Sequence, residues 1–215
     1  MAETIHSAEA RSARGRWPFD QVALALHRAR YAILASAGTY LVSVMVGITL
    51  ASAGVPFAVD QRDSIVGSAQ GGSIINAYNR GDRLEAGLLD FGANLLGSGV
   101  TSVAGFSIIG PFPIAAYRGW VGGIVSIDAN HVSRLTRPGD ATYYVVTMIL
   151  QLTGFILAMA AGLHVGVAAW RARDDKSLRS IAGIRIPVWC LRDAGWLYVL
   201  VVPILLIGSL WEFLT

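Results

Sequence analysis

Apolar positions along this chain form long continuous runs, not the alternating pattern of a half-buried strand. The clearest run, "YYVVTMILQLTGFILAMAAGLHVGVAAW", covers residues 143–170 without a formal charge. A helix needs about 20 mostly apolar residues to cross the hydrocarbon core of a membrane. We therefore predict an all-α protein, a polytopic membrane helical bundle of about five transmembrane helices, at residues 31–55, 92–110, 112–127, 141–170 and 195–214.

The apolar stretch at residues 91–127 is interrupted at "GPFP", where Gly110 is followed by Pro111 and Pro113. Proline has no amide hydrogen, and it disfavours helix in the residue before it. We predict two short helices that meet here in a tight turn within the thickness of the membrane. One long kinked helix is the open alternative.

The chain begins with a polar, basic leader at residues 1–30. The run that follows, residues 31–55, exceeds the roughly 7–15 apolar residues of a secretory signal, so we predict an uncleaved anchor. Within the leader, the spacing of apolar residues predicts a short amphipathic helix that lies along the lipid headgroups. The residues behind that prediction are Pro18, Phe19, Val22, Leu24 and Leu26.

Three polar segments connect the predicted spans. The acidic segment 56–90 is the largest; within it, we predict that the glycine- and serine-rich stretch 67–73 is flexible and that 74–89 forms a short interfacial helix. Residues 128–140 form a polar connector, and residues 170–194 form the most basic loop.

The distribution of basic residues predicts the orientation of the bundle. Arginines and lysines gather before the first span and before the last span, and cytoplasmic loops of membrane proteins carry such an excess. We therefore predict a cytoplasmic N-terminal leader, a transmembrane domain at residues 31–215, "GPFP" on the cytoplasmic side and the C-terminus outside.

Composition agrees with a lipid environment. Charged residues make up 14% of the chain, hydrophobic residues 54%, and the mean hydropathy is +0.54. Soluble domains carry roughly 25% charged residues. The net charge of +3 would suit nucleic acid, but the basic residues adjoin apolar segments, so we predict no nucleic-acid partner. The single Cys190 excludes an internal disulfide framework.

Polar side chains inside predicted spans are costly, and each is a functional candidate by default. Arg118 either extends its stem back to the cytoplasmic surface or pairs with Glu212 or Asp90. Glu212 lies near the end of its span, where we expect a solvated interfacial carboxylate. The intramembrane candidates are Asn94, Arg118, Gln151, His164 and Glu212.

Gln151 and His164 lie on the same predicted helix, about 20 Å apart at a rise of about 1.5 Å per residue, so they cannot share a ligand. We expect Gln151 to form a hydrogen bond to a neighbouring helix. His164 is a packed or hydrogen-bonded residue, or alternatively a ligand of a haem or pigment metal. A second axial ligand and a cofactor motif are missing from the sequence, so we predict no cofactor and no metal.

Small residues four positions apart share a helix face and let helix backbones approach closely. They predict helix packing, either within the chain or in an oligomer. These pairs are Gly119 with Gly123, Ala158 with Gly162, and Gly162 with Gly166. The sequence has no Walker loop, nucleophile elbow or His-Glu-x-x-His pair, so we predict that the protein is not an enzyme.

Four segments together resemble the stage II sporulation protein M family, over roughly residues 31–215. Phe91 and Asn94 resemble the aromatic residue and asparagine that open the family's second span, and Gly119 resembles the glycine of its asparagine-glycine step. Pro203 and Glu212 resemble its closing proline-to-glutamate helix. The segments are "FGANLLGSGV" (91–100), "YRGWVGG" (117–123), "LAMAAGLHVG" (157–166) and "LVVPILLIGSLWEFLT" (200–215).

The chain departs from the family pattern at three positions. Arg118 stands where the family commonly has asparagine, and Thr147 and Gln151 stand where its fourth span has proline-histidine and glutamate. The resemblance implies a five-span protein of the bacterial cytoplasmic membrane. It also implies a scaffold or membrane-remodelling role, because the founding member works with a peptidoglycan-degrading complex during engulfment.

Three functional hypotheses follow. The leading hypothesis is a non-catalytic membrane subunit that assembles with other membrane proteins, or with copies of itself, in the lipid bilayer. The second is a small transporter or channel with a polar path near the broken helix at residues 110–113. The third is an accessory subunit of an electron-transfer or light-harvesting complex, with His164 as a pigment ligand.

Overall fold

The computed structural model of the protein describes residues 17–136, 141–173, 180–181 and 184–214. The described chain is almost entirely helical. Its helices are α1 (Pro18–Ser52), α2 (Pro56–Gln70), α3 (Ser73–Asn79), α4 (Arg83–Ala104), α5 (Pro111–Val125), α6 (Ala141–Arg171) and α7 (Val188–Leu214). The other regular elements are two 3-10 turns, Gly105–Ser107 and Arg134–Thr136, and an antiparallel pair of two-residue strands, β1 (Ser180–Ile181) and β2 (Ile184–Arg185). Apart from that strand pair, the predicted all-α class is confirmed.

Three of the helices are long and apolar enough to cross a membrane: α1, α6 and α7. Helix α6 matches the predicted span 141–170 to within one residue, and α7 begins seven residues before the predicted start at residue 195. The helices α4 and α5, with 22 and 15 residues, do not belong to this class. By length and hydropathy, the described residues therefore support three spans and not five.

The stretch 91–127 contains two helices, so the alternative of one kinked helix is excluded. The break lies earlier than predicted, because α4 ends at Ala104 and a 3-10 turn leads to Ile108, whose φ is 64°. Pro111 opens α5 and Pro113 lies in its first turn. A helix leaves its first amide hydrogens without partners, so proline starts α5 instead of interrupting it.

The predicted amphipathic helix before the first span is wrong as a separate element. Residues 18–30 are the first turns of α1, which runs unbroken to Ser52 because Pro18 opens it and no proline follows until Pro56. Residues 1–16 of the leader lie outside the described residues. In the acidic segment, residues 67–70 belong to α2 and Ser73 opens α3, so five of the seven residues in the stretch 67–73 that was expected to be flexible are helical.

The bundle has two ends, which contacts along the helices define. Helices α1 and α5 lie parallel: Tyr40 lies beside Gly119, and Val44 lies beside Gly123 one turn further along both helices. At one end, called here the Arg28 end, Arg28 on α1 approaches Asp193 in the first turns of α7. At the opposite end, the Glu212 end, α3 packs its Ala77 and Tyr78 against the last turn of α7.

Glycines let the helix backbones touch. A Cβ atom on Gly123 would lie 3.0 Å from the Cα of Gly47 on α1, and one on Gly105 would lie 2.7 Å from the Cα of Gly162 on α6. Real Cβ atoms do not sit so close to backbone atoms, so these contacts require glycine. The predicted packing residues Gly119, Gly123, Ala158, Gly162 and Gly166 all lie at contacts inside the chain.

A pair of neighbouring glycines tests this packing. We expect Gly123→Ala to destabilise the protein by about 1–3 kcal/mol, because the new methyl group overlaps the α1 backbone. Gly122→Ala is the matched control: its Cβ meets nothing within 4 Å. Since alanine favours helix over glycine by about 1 kcal/mol, the control should be neutral or stabilising. Unfolding of both variants in mixed detergent measures the difference, and equal effects would contradict the packing described.

Candidate functional site: a polar cluster between α4, α6 and α7

Polar side chains from three helices meet near the Glu212 end of the bundle. They include three of the five intramembrane candidates, and a fourth, Arg118, lies beside them. The polar cluster, as the term is used from here on, consists of Asp90 and Asn94 on α4, Tyr143, Thr147 and Gln151 on α6, and Ser209 and Glu212 on α7.

Asp90 joins α4 to α7. Its Oδ2 accepts a hydrogen bond from Nδ2 of Asn94, one turn further along α4, at 2.8 Å, and another from Oγ of Ser209 at 2.7 Å. Gly87 allows these two helices to come close, because a Cβ on Gly87 would lie 3.3 Å from the Ser209 carbonyl oxygen; on the other side of α7, a Cβ on Gly208 would lie 3.3 Å from the Cβ of Leu150 on α6. The carboxylate is therefore held from two helices.

Glu212 joins α7 to α6. Its Oε2 accepts a hydrogen bond from Nε2 of Gln151 at 2.5 Å, and its backbone carbonyl accepts one from the Tyr143 hydroxyl at 2.7 Å. The prediction that Gln151 bonds a neighbouring helix is confirmed. The expected solvated position of Glu212 is wrong, because the side chain is partly buried and turns towards α6.

Thr147 lies on the same face of α6, four residues from both Tyr143 and Gln151. Only 8% of its surface is exposed. Its hydroxyl oxygen is buried and, among the described residues, accepts and donates no hydrogen bond. Buried hydroxyl groups are normally hydrogen-bonded. Thr147 therefore brings an unsatisfied polar atom to the α6 side of the polar cluster.

Arg118 on α5 lies inside the bundle and does not extend to the membrane surface. Its guanidinium group lies over the Phe155 ring, 4.4 Å from the ring centre, and against Gly97, where a Cβ would lie 2.8 Å from Cζ. Its Nη1 atom is buried without a hydrogen-bond partner in the described part of the chain. The predicted pairing with Asp90 is present only as an electrostatic interaction without a direct salt bridge.

Beside Arg118 the bundle interior contains further unsatisfied hydroxyl groups. Tyr40 on α1 is 1% exposed, stacks on Phe155 and interacts electrostatically with Arg118. Within the described residues, the hydroxyl groups of Ser36 and Ser98 have no hydrogen-bond partner. Since Ser98 is one turn beyond Asn94, the polar face of α4 continues from the polar cluster into the bundle.

His164 belongs to a separate site at the Arg28 end. Its Nε2 lies 3.4 Å from one carboxylate oxygen of Asp193, and Arg28 lies 3.5 Å from the other. Trp189 packs edge-on against the His164 ring at 5.5 Å. Asp193 is 2% exposed, so this is a buried junction of α1, α6 and α7. Gln151 lies at the Glu212 end, so His164 and Gln151 belong to different sites.

Several members of the two sites are not among the predicted intramembrane candidates. Asp90, indicated only as a possible partner of Arg118, and Asp193 lie in the polar segments between predicted spans, and Ser209 is a small residue in an apolar run. A usable signal was the recurrence of polar residues at every fourth position, which places them on one face of a helix. On α4 the recurring positions are Asp90, Asn94 and Ser98, and on α6 they are Tyr143, Thr147 and Gln151.

Comparison of the chain with protein-family models, curated proteins and solved structures finds no match. The chemistry of the polar cluster therefore follows from its own atoms. Across the described ranges, no group of three or more histidine, cysteine or acidic residues lies together as metal ions require. Carboxylate, amide and hydroxyl oxygens accept hydrogen bonds or bind hard cations, and they lie here next to a guanidinium group.

A double-mutant cycle tests the link between α6 and α7. We expect Gln151→Leu and Glu212→Leu each to destabilise the protein, and the double variant to lose less than the sum. The coupling should be about 1 kcal/mol, the size of hydrogen bonds between membrane helices. The free energy of unfolding in mixed detergent measures each variant. Additive effects would show that the hydrogen bond does not form.

Proposed function

We propose that this protein is a non-catalytic integral membrane subunit that binds the transmembrane helix of a partner protein. In this proposal it acts as a scaffold or membrane-remodelling partner within a larger complex. The observation that carries the proposal is an open groove on the outer face of α4, next to α7. The resemblance to the stage II sporulation protein M family favours the same role.

The groove is apolar and has a volume of about 660 Å³. Gly92 and Gly99, seven residues apart on one face of α4, form its floor, and a Cβ on either would meet nothing within 4 Å. The remaining lining residues are Leu95, Leu96, Val100, Val103 and Tyr198. Leu96, Val100 and Val103 are all more than half exposed, so the groove opens to the surroundings of the bundle.

The other glycines in helix faces indicate what such a groove accepts. Gly123 receives the backbone of α1, and Gly162 and Gly166 receive the end of α4 and the turn after it. Membrane helices associate where small residues let backbones approach closely. An acyl chain gains nothing from that close approach, whereas a helix gains van der Waals contact along its length. A partner helix is therefore the occupant that fits Gly92 and Gly99 best.

In this proposal the chain crosses the membrane five times, and α4 and α5 form a helical hairpin. At about 1.5 Å per residue, α4 is roughly 33 Å long and α5 roughly 22 Å, so the pair reaches through much of a hydrocarbon core of about 30 Å. The basic residues before α1 and between α6 and α7 favour a cytoplasmic Arg28 end and a C-terminus outside. The family resemblance favours the bacterial inner membrane.

A small transporter or channel is the second candidate. The convergence of Asn94, Gln151 and Glu212 in the polar cluster, with Arg118 close by, supports this function. Ionisable residues inside membrane proteins commonly mark ion or substrate pathways. The polar face of α4 from Asp90 to Ser98 runs along the hairpin, which would provide the beginning of such a path.

Filling the groove tests the docking proposal. We expect Gly99→Leu to abolish copurification of the partner in mild detergent, because the side chain occupies the space that the partner helix needs. Gly122→Leu is the control: it adds the same side chain at another open glycine, outside the groove. Both variants should elute as folded protein. Equal partner recovery with wild type, Gly99→Leu and Gly122→Leu would contradict the proposal, and so would a wild-type protein that copurifies with no other protein.

A further inference from the structure

The polar cluster contains more negative than positive charge. Asp90 and Glu212 interact electrostatically with each other, and both are partly buried between helices. Arg118 on α5 is the cation whose charge reaches Asp90, but it lies over Phe155 and against Gly97, not on a carboxylate. With all three groups ionised, the site carries one net negative charge. Buried charge without a partner is costly, so the site favours an added positive charge.

We propose that the polar cluster binds one monovalent cation, H⁺ or Na⁺, between the carboxylates of Asp90 and Glu212. The two residues stand on facing helices, and Ser209, which donates to Asp90, lies one turn before Glu212 on α7. A cation here would interact with both carboxylates and neutralise the net negative charge of the site. This inference goes beyond the docking function, because the cation site lies between α4, α6 and α7 and shares no residue with the open groove.

Thr147 provides an independent observation that points to a ligand. Its buried hydroxyl has no partner among the described residues, although its neighbours on the same helix face, Tyr143 and Gln151, both bond Glu212. Hydroxyl oxygens with two lone pairs are good ligands for hard cations. A Na⁺ between the carboxylates would give the Thr147 oxygen a partner, whereas the bare bundle leaves it unsatisfied.

Other charged and titratable groups around the pair are few. Arg118 reaches it from α5, and Tyr143 interacts with both carboxylates from α6. Tyr78 on α3 and Tyr144 on α6 interact in turn with Tyr143. The contacts of Asp90 on α4 and α7 are the neutral side chains of Asn94 and Ser209. Binding and release of the cation should therefore depend on the two carboxylates.

Equilibrium binding of radioactive Na⁺ to the purified full-length chain tests the Na⁺ form. We expect saturable binding of one Na⁺ per chain, which Asp90→Asn and Glu212→Gln abolish and Thr147→Val weakens. The amide substitutions keep the size of each side chain and one accepting oxygen, so the fold should survive. Asp193→Asn is the matched control, since it removes a buried carboxylate at the Arg28 end, and it should bind like wild type. Gel filtration verifies the fold of each variant.

Proton uptake tests the H⁺ form. In Na⁺-free detergent solution titrated down only to about pH 6, where ordinary carboxyl groups stay ionised, wild type should take up about one proton more than Asp90→Asn or Glu212→Gln, and Asp193→Asn should keep this uptake at the Glu212 end. Saturable Na⁺ binding that persists in all the cluster variants would overturn the proposal. The absence of Na⁺ binding together with equal proton uptake in wild type and both cluster variants would overturn it as well. None of these measurements needs a partner protein, so they are independent of the docking test.

Discussion

A helix in hydrocarbon satisfies its own backbone, but a polar side chain there must find its partner inside the protein. This constraint accounts for both polar sites of the bundle. At the Glu212 end, Asp90 and Glu212 are bonded by side chains from a neighbouring helix, and at the Arg28 end Asp193 lies between Arg28 and His164. Each site joins helices that are far apart in sequence. The polar groups therefore fix which helices are neighbours.

Close packing of the helices allows these polar side chains to contact each other. Short side chains such as serine and aspartate can meet across a helix interface only when the backbones are near each other. Gly87 and Gly208 provide that approach where α4 and α6 meet α7, and Gly97 provides the space in which the Arg118 guanidinium lies. Glycine thus has two uses in this chain: inside the bundle it admits a neighbouring helix or side chain, and on the outer face of α4 it leaves a groove open.

The sequence predicts both ends of α5 and α6 to within two residues, and it misplaces at least one end of α1, α4 and α7. Helix α6 follows from an uninterrupted apolar run, so its bounds are right to within a residue. The hairpin break is displaced towards Gly105 because proline is tolerated in a first turn, and the contact of Gly105 with Gly162 on α6 is a tertiary feature that no local pattern reveals. In the same way, α1 starts at Pro18 because nothing in the leader stops a helix once it has begun.

For the polar cluster, the sequence indicates which polar residues are candidates, but it does not indicate which residues they contact. Gln151 stood out as a polar residue in an apolar run, and its hydrogen bond to another helix was predictable from the cost of leaving it unsatisfied. That its partner is Glu212 depends on the register of α6 against α7, which Gly208 and Leu150 set through tertiary packing. The sequence indicates Asp90 only as a possible partner of Arg118, because Asp90 lies at the end of a charged segment and its place inside the bundle depends on α4 starting at Arg83.

The contact of α4 with α7 inside one chain is the feature on which the polar cluster depends most directly. Asp90→Cys together with Ser209→Cys, in a background with Cys190→Ser, places two thiols where a carboxylate and a hydroxyl now meet at 2.7 Å. Mild oxidation in native membranes should form a disulfide within a single chain, seen as a faster-migrating monomer after electrophoresis without reductant. A chain that stays reduced, or that forms only covalent dimers, would contradict this arrangement.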